Sequence, residues 1–202
     1  LEKEILNKAV HMSGIHPTRV QNVYLFGSRV YGTNNDSSDY DFIVVCNNPF
    51  FEKEIKVDNY NIHLMTMDIY MSKLKNHLPT TVESFYLPDK FKYESIKVDW
   101  SPNSQSLRHS FSHVSSNSWV KAKKKILQGD YQIGIKSLFH SLRIPMFGKQ
   151  IAEYGSILDF SEANFIWDNL SSKYWTWEEI DSEFRLDRNR ILSEFRESSP
   201  KI

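Results

Sequence analysis

Short apolar bursts, some alternating with polar residues, fill the first half of the chain; helical spacing dominates the second. Ile5, Leu6, Ala9 and Val10 share one side of a helix predicted over residues 2–13, which Gly14 and Pro17 close. Val23 to Phe26 is a short apolar run that stops at Gly27-Ser28, and Phe42 to Val45 is another that starts just after two aspartates one residue apart. Together they read as strand, turn, strand. Phe50 to Val57 and Tyr60 to Met67 are β-rich runs joined by Asp58-Asn59, the signal of a two-residue hairpin turn. Asp68 is placed to cap a helix carrying Ile69, Tyr70, Leu74 and Leu78 and ending near Pro79. Val82 to Leu87 and Phe91 to Val98 add apolar or aromatic segments.

Ser101-Pro102 is a helix-start signal, and from there long helical periods replace strand patterning. The expected architecture is α+β: a mixed sheet with flanking helices in residues 1–98, then a helical domain in residues 99–202. A single helix over 103–128 would align Leu107, Phe111, Val114 and Ser118 with Lys121 and Lys125, so that two lysines continue the inward face. A break at Ser115-Ser116-Asn117 would instead leave Lys121, Lys123, Lys124 and Lys125 as a solvated basic end. Asp130 is placed to cap a further helix with Ile135, Leu138, Phe139 and Leu142 on its apolar side, and Pro145 should kink or end it. On that helix Lys136, His140 and Arg143 form a stripe, either an ordinary polar face or a set of groups for nucleotide phosphates or an RNA end. Ser161 begins a short helix with Ala163, Phe165, Ile166 and Leu170. Thr176-x-x-Glu179 is a capping box opening the last helix, where Ile180, Phe184, Ile191 and Phe195 pack. Trp167, Trp175 and Trp177 read as core or interface anchors rather than base-stacking platforms.

Composition narrows the classes. The 202 residues suit one compact domain or two small ones, and 25 basic against 25 acidic side chains leave no overall field for a polyanion. Any nucleic-acid contact must therefore be local. The lone Cys46 excludes an internal disulfide, and no apolar run approaches the roughly 18 residues of a membrane span. A reducing compartment, cytoplasmic or nuclear rather than secreted, is the expectation.

The chemistry concentrates in residues 23–45. Side chains alternate along a strand, so Asp39 and Asp41 point to one side while Tyr40 and Phe42 point to the other. Two carboxylates side by side can hold a divalent cation. Gly27 permits close backbone approach, and Ser28 offers a hydroxyl and an amide where a helical turn would begin, which suits a phosphate. The bland alternative is a surface hairpin with an acidic turn.

Gly27-Ser28, ten residues, then Asp39-x-Asp41 between apolar flanks resembles the signature of the polymerase β-like nucleotidyltransferase superfamily. With Arg29 and Gly32 inside the turn, it is most similar to the small members called minimal nucleotidyltransferases. The resemblance implies a palm-like domain in which Asp39 and Asp41 bind two Mg²⁺ ions and Gly27 and Ser28 hold an NTP triphosphate. A substrate hydroxyl would attack the α-phosphorus, and pyrophosphate would leave. Arg29 would neutralise a phosphate oxygen, or else be a surface arginine at the start of the turn. Lys121, Lys125, Lys136, His140 and Arg143 would face the acidic turn across a cleft and bind the nucleotide. The acceptor would be an RNA end, a protein or a small molecule. The family usually carries a third carboxylate on the strand after the Asp-x-Asp strand, where this chain offers Asn61 and His63; Asp58 and Glu83 are the substitutes. That departure keeps open a nucleotide sensor without turnover, or a complex subunit.

Overall fold

The computed structural model describes residues 2–48 and 52–200 and divides into two compact units between Ser101 and Pro102. In the first unit, helix α1 (Glu2–Met12) precedes a single 3₁₀ turn and strand β1 (Val20–Phe26). A four-residue helix, α2 (Ser28–Tyr31), then leads through a loop to β2 (Tyr40–Cys46). Strands β3 (Glu52–Val57) and β4 (Tyr60–Thr66) form the hairpin, with Asp58 at φ +52° in its turn. Phe50 and Phe51, the start of the first predicted β-run, lie outside the described residues. Helices α3 (Met67–Lys75) and α4 (Pro79–Phe85) and the short strand β5 (Lys92–Glu94) complete the unit. Val82 to Leu87 therefore falls mainly in a helix, while Phe91 to Val98 contains the fifth strand.

The sheet order is β3-β4-β2-β1-β5, and β2 with β4 is its parallel pair, which makes the sheet mixed. Alternation sends Tyr40, Phe42 and Tyr60 to one face, where their rings stack in a row and Lys8 of α1 lies over Tyr60. Leu6 and Ala9 of α1 are buried there. Tyr24 points to the opposite face and stacks on Tyr70 of α3, whose hydroxyl meets Ser84 of α4. Asp41 shares the Tyr24 face, because it opposes Phe26 in the ladder.

The second unit is helical: α5 (Ser104–Leu127), α6 (Tyr131–Tyr154), α7 (Asn164–Ser171) and α8 (Trp177–Ser198). Phe111 of α5, Leu138, Leu142 and Phe147 of α6 and Phe195 of α8 form its core. The Thr176–Glu179 capping box opens α8 as expected. Other caps differ. Thr66, not Asp68, accepts the amide at the start of α3, and Asn103 does so for α5. Asp130 precedes α6 but makes no cap bond, because its carboxylate pairs with Lys125 instead. The third short helix starts at Asn164 rather than Ser161, whose hydroxyl and amide bond Asp159.

Three readings of the long helices are overturned: a break in α5, two lysines on its inward face, and an end of α6 at Pro145. The break at Ser115-Ser116-Asn117 does not occur, and the buried face of α5 runs Leu107, Phe111, Ser115, Ala122, Ile126. Lys121 and Lys125 lie one position off that stripe, Lys121 exposed and Lys125 half-buried, so neither continues the inward face. Pro145 does not end α6, which continues nine residues beyond it. A proline inside a helix deprives the carbonyl four residues earlier of its donor, here the carbonyl of Ser141. The buried Ser115 hydroxyl donates to that carbonyl at 2.6 Å. The serine that looked like a helix breaker thus supplies the bond that the proline removes.

Ser115→Ala should accordingly destabilise the protein by about 1–3 kcal/mol in urea unfolding, since it strands a buried acceptor. In a Pro145→Ala background the Ser141 carbonyl regains a backbone donor, and the same substitution should cost markedly less.

Candidate active site

The site grows from the end of β1. Gly27 has φ +84°, and a Cβ there would stand 2.8 Å from Asp41 Oδ2. Both the backbone angle and the close carboxylate require glycine. Its carbonyl accepts the amides of Val30 and Tyr31, so one tight helical turn begins at Ser28. Gly32, at φ +80° in the left-handed region, closes that turn. Arg29 folds back over the loop: its guanidinium donates to the Ser38 carbonyl at 2.6 Å and the Asp39 carbonyl at 3.3 Å and stacks over Tyr40 at 3.7 Å. It braces the loop rather than standing free above it. Asn35 ties the loop's far end, accepting from the amide of Ser37 and the hydroxyls of Ser37 and Ser38.

Asp39 and Asp41 come together as alternation requires. One group bridges them: the Asn61 amide nitrogen donates to Asp39 Oδ2 at 3.1 Å and to Asp41 Oδ1 at 3.0 Å. Parallel register places Asn61 directly beside Asp41. Of the candidate third-acid positions, then, Asn61 occupies the place next to the pair. His63 lies two residues along the same face, near Glu54 and Phe26. Asp58 is exposed in the hairpin turn, and Glu83 is buried on α4, accepting from the Tyr31 hydroxyl at 2.6 Å. Among the described residues, no three His, Cys, Asp or Glu side chains gather into a metal-holding group.

Lys56 escaped the sequence reading. Its ammonium lies 3.9 Å from Asp39 on a 72% exposed side chain, a contact that solvent screens heavily. A two-residue turn pairs residue 57 with 60 and therefore 56 with 61, so the hairpin itself held this signal.

In the helical unit, the predicted cations assemble around one residue. The Arg143 guanidinium meets His140 Nδ1 at 3.1 Å, which makes that nitrogen an acceptor and fixes a neutral ring protonated at Nε2. Burial and the charges of Arg143, Lys121 and Lys136 push the His140 pKa down to about 3. Arg143 is itself buried, with its guanidinium over Phe147 at 4.8 Å. Lys125 is not part of this group, being engaged with Asp130 at 2.6 Å.

This chain matches, over residues 3–100, the family model described as the nucleotidyltransferase domain. Among solved structures, it is similar to a nucleotidyltransferase-like protein from Exiguobacterium sibiricum 255-15 at 12% identity, with 98% of this chain and 77% of that one covered and a TM-score of 0.39. A spectinomycin adenyltransferase, AAD(9), from Enterococcus faecialis aligns at 14% identity over 96% of both chains, with a TM-score of 0.42. An aminoglycoside 6-adenyltransferase from Bacillus subtilis aligns at 11% identity over 98% of this chain and 91% of that one, with a TM-score of 0.32. No curated protein sequence matches the chain significantly. No helix among the described residues is long and apolar enough to cross a membrane.

His140 titrates above its folded pKa only in the unfolded chain, so between pH 6.5 and about 3 the unfolded state binds the extra proton and stability falls as pH falls. His140→Gln should flatten that part of the curve. Urea midpoints of both proteins across this range check it, the expected result being a gap that changes steadily below pH 6.5.

Proposed function

We propose that the chain transfers a nucleoside monophosphate from an NTP to a hydroxyl acceptor, with Mg²⁺ at Asp39 and Asp41. The observation that carries the reading is the convergence of two carboxylates on a single donor beside a turn where glycine alone leaves room. This donor set fits Mg²⁺: hard anionic oxygens, with the Asn61 amide oxygen as a neutral third donor once the amide rotates. Bound there, Mg²⁺ would neutralise phosphate charge and lower the pKa of the attacking hydroxyl, and the family resemblance argues for two ions.

The chain's own groups divide the remaining work. Asp39 and Asp41 anchor the metal and are the nearest bases for the hydroxyl proton. Ser28 and the turn amides receive the triphosphate, while Arg29 keeps the loop in place. The acceptor oxygen bonds the α-phosphorus as that phosphorus releases the bridging oxygen, and pyrophosphate departs. Lys121, Lys136 and Arg143, with neutral His140 among them, supply cations suited to nucleotide phosphates. An RNA end, a protein or a small molecule would serve as acceptor.

One observation favours a second reading, a nucleotide sensor that turns over slowly or not at all. Asn61 stands in register with Asp41, on the strand where the family resemblance calls for an acid. An amide cannot take a proton from the nucleophile, so its presence costs rate more than affinity; general-base help is worth about 10² to 10⁴-fold.

Asp39→Ala and Asp41→Ala should each abolish Mg²⁺-dependent NTP binding in isothermal titration while the thermal midpoint without metal holds. Wild-type affinity in both variants would show that the turn is not the site. Asn61→Asp should raise transfer from α-radiolabelled NTPs into RNA or protein pools by at least about tenfold. NTP binding with no transfer by either wild type or Asn61→Asp would leave the sensor reading standing.

A further inference from the structure

The seam between α5 and α8 holds positive charge that the proposed transfer does not use. Arg188 and Arg196 of α8 reach across it, each to a neutral partner: the Arg196 Nε lies 3.3 Å from the Ser112 hydroxyl, and an Arg188 terminal nitrogen 3.3 Å from that of Ser116. Ser112 and Ser116 are one helical turn apart, so the two guanidiniums follow one line along the seam. Arg188 also lies over the Trp119 ring at 5.1 Å, and its Nε is buried with no hydrogen-bond partner. Burial and repulsion from Arg196 and Arg185 hold its pKa below the usual arginine value. Arg108 closes the far end, donating to the Arg196 and Ser199 carbonyls at the C-terminus of α8. Among the described residues, no carboxylate pairs with Arg108, Arg188 or Arg196.

Arg108 and Arg196 line an open groove of about 600 Å³, a volume suited to a nucleotide-sized ligand, and Arg188 adjoins it through its bond to the lining Ser116. Its rim carries the exposed rings of His109 and His113, within 4° of parallel and 6.2 Å apart. The combination is specific in chemistry. Packing like charges against hydroxyls costs solvation that an anion would restore, and a guanidinium with a neighbouring hydroxyl presents donors of the kind phosphodiester oxygens accept. Planar rings beside such donors suit the faces of unpaired bases. An acidic peptide would satisfy the charges but has no use for the rings.

We propose that the α5–α8 groove is a binding site for a single-stranded nucleic acid, with Arg188 and Arg196 on consecutive phosphates and the His109 and His113 rings against bases. The inference rests on the helical unit alone and holds whether or not the chain transfers nucleotides.

The test is fluorescence anisotropy of the full chain with a fluorescein-labelled oligouridylate of roughly 12 nucleotides, at about 50 and about 200 mM salt. Wild type should bind with affinity that falls steeply with salt. Arg188→Gln with Arg196→Gln should weaken binding by about tenfold or more at the lower salt, and reduce the salt slope by about 1 per arginine. Should that variant misfold by circular dichroism, Ser116→Asp serves instead: it keeps both arginines, gives Arg188 a partner within the seam, and should weaken binding similarly. Asp41→Ala should bind the strand as wild type does, which separates this site from the nucleotide site. No binding by wild type, equal binding by the groove variants, loss of binding in Asp41→Ala, or displacement by poly-glutamate as effective as by unlabelled oligouridylate would each overturn the proposal.

Discussion

Two carboxylates one residue apart, both on one side of a strand, repel each other, and the first unit is built to hold them there. The parallel pairing of β2 with β4 is the decisive element, because its register sets the Asn61 amide between Asp39 and Asp41. One nitrogen donating to both oxygens offsets part of their repulsion without adding a charge. On the other side, Gly27 brings backbone, and nothing bulkier, against Asp41. Arg29 fixes the loop that delivers Asp39 by binding its carbonyls rather than its carboxylate, which leaves the acid pair open to a cation from outside. The Asn61 amide and the Gly27 backbone beside the pair are neutral, and the ammonium of Lys56 is screened.

The legible part of this arrangement was the part written in local sequence. Strand alternation places Asp39 and Asp41 together, and Gly27-Ser28 marks a turn, because both follow from residues a few positions apart. The strands and the helical second half were legible for the same reason: periods of two and of 3.6 are local properties. What depends on pairing between distant segments was hidden. Asn61 and His63 are equally good candidates until the β2–β4 register is known, since both lie on the same face. The fitted caps were missed because Thr66 sits two residues before the more conspicuous Asp68, and Asn103 directly after the more conspicuous Ser101-Pro102.

Ser115 and Pro145 show the limit from the opposite direction. Each alone signals an interrupted helix, and the local reading of each is sound. Their combination reverses it, because the hydroxyl on α5 replaces the amide missing from α6. Thirty residues separate the two in sequence, so no window of helical length contains both. The error in the lysine stripe has the same origin: following 107, 111 and 114 selects Lys121 and Lys125, whereas following 107, 111 and 115 selects Ala122 and Ile126. A buried serine was read as a polar break and the phase slipped by one residue.

A net charge of zero conceals how unevenly the cations of the helical unit are spent. Lys125, Lys149, Lys173, Arg185 and Arg190 are paired with carboxylates, and such pairs on exposed helices contribute little beyond solubility. In two other groups the cations stand close together. Around His140 the cations are dense enough to keep the ring neutral, and along the α5–α8 seam two arginines take neutral partners, Ser112, Ser116 and Asn189. Along the seam positive charge is gathered against its own repulsion, which lowers stability unless an anion is part of the working state. Carboxylates are plentiful on the same helices, as the pairs on α8 show, so composition did not force the arrangement. The two groups also differ from each other: one surrounds a half-buried ring in a packed helix face, and the other opens to solvent beside exposed rings. The openness of the seam matches the extended strand proposed for it.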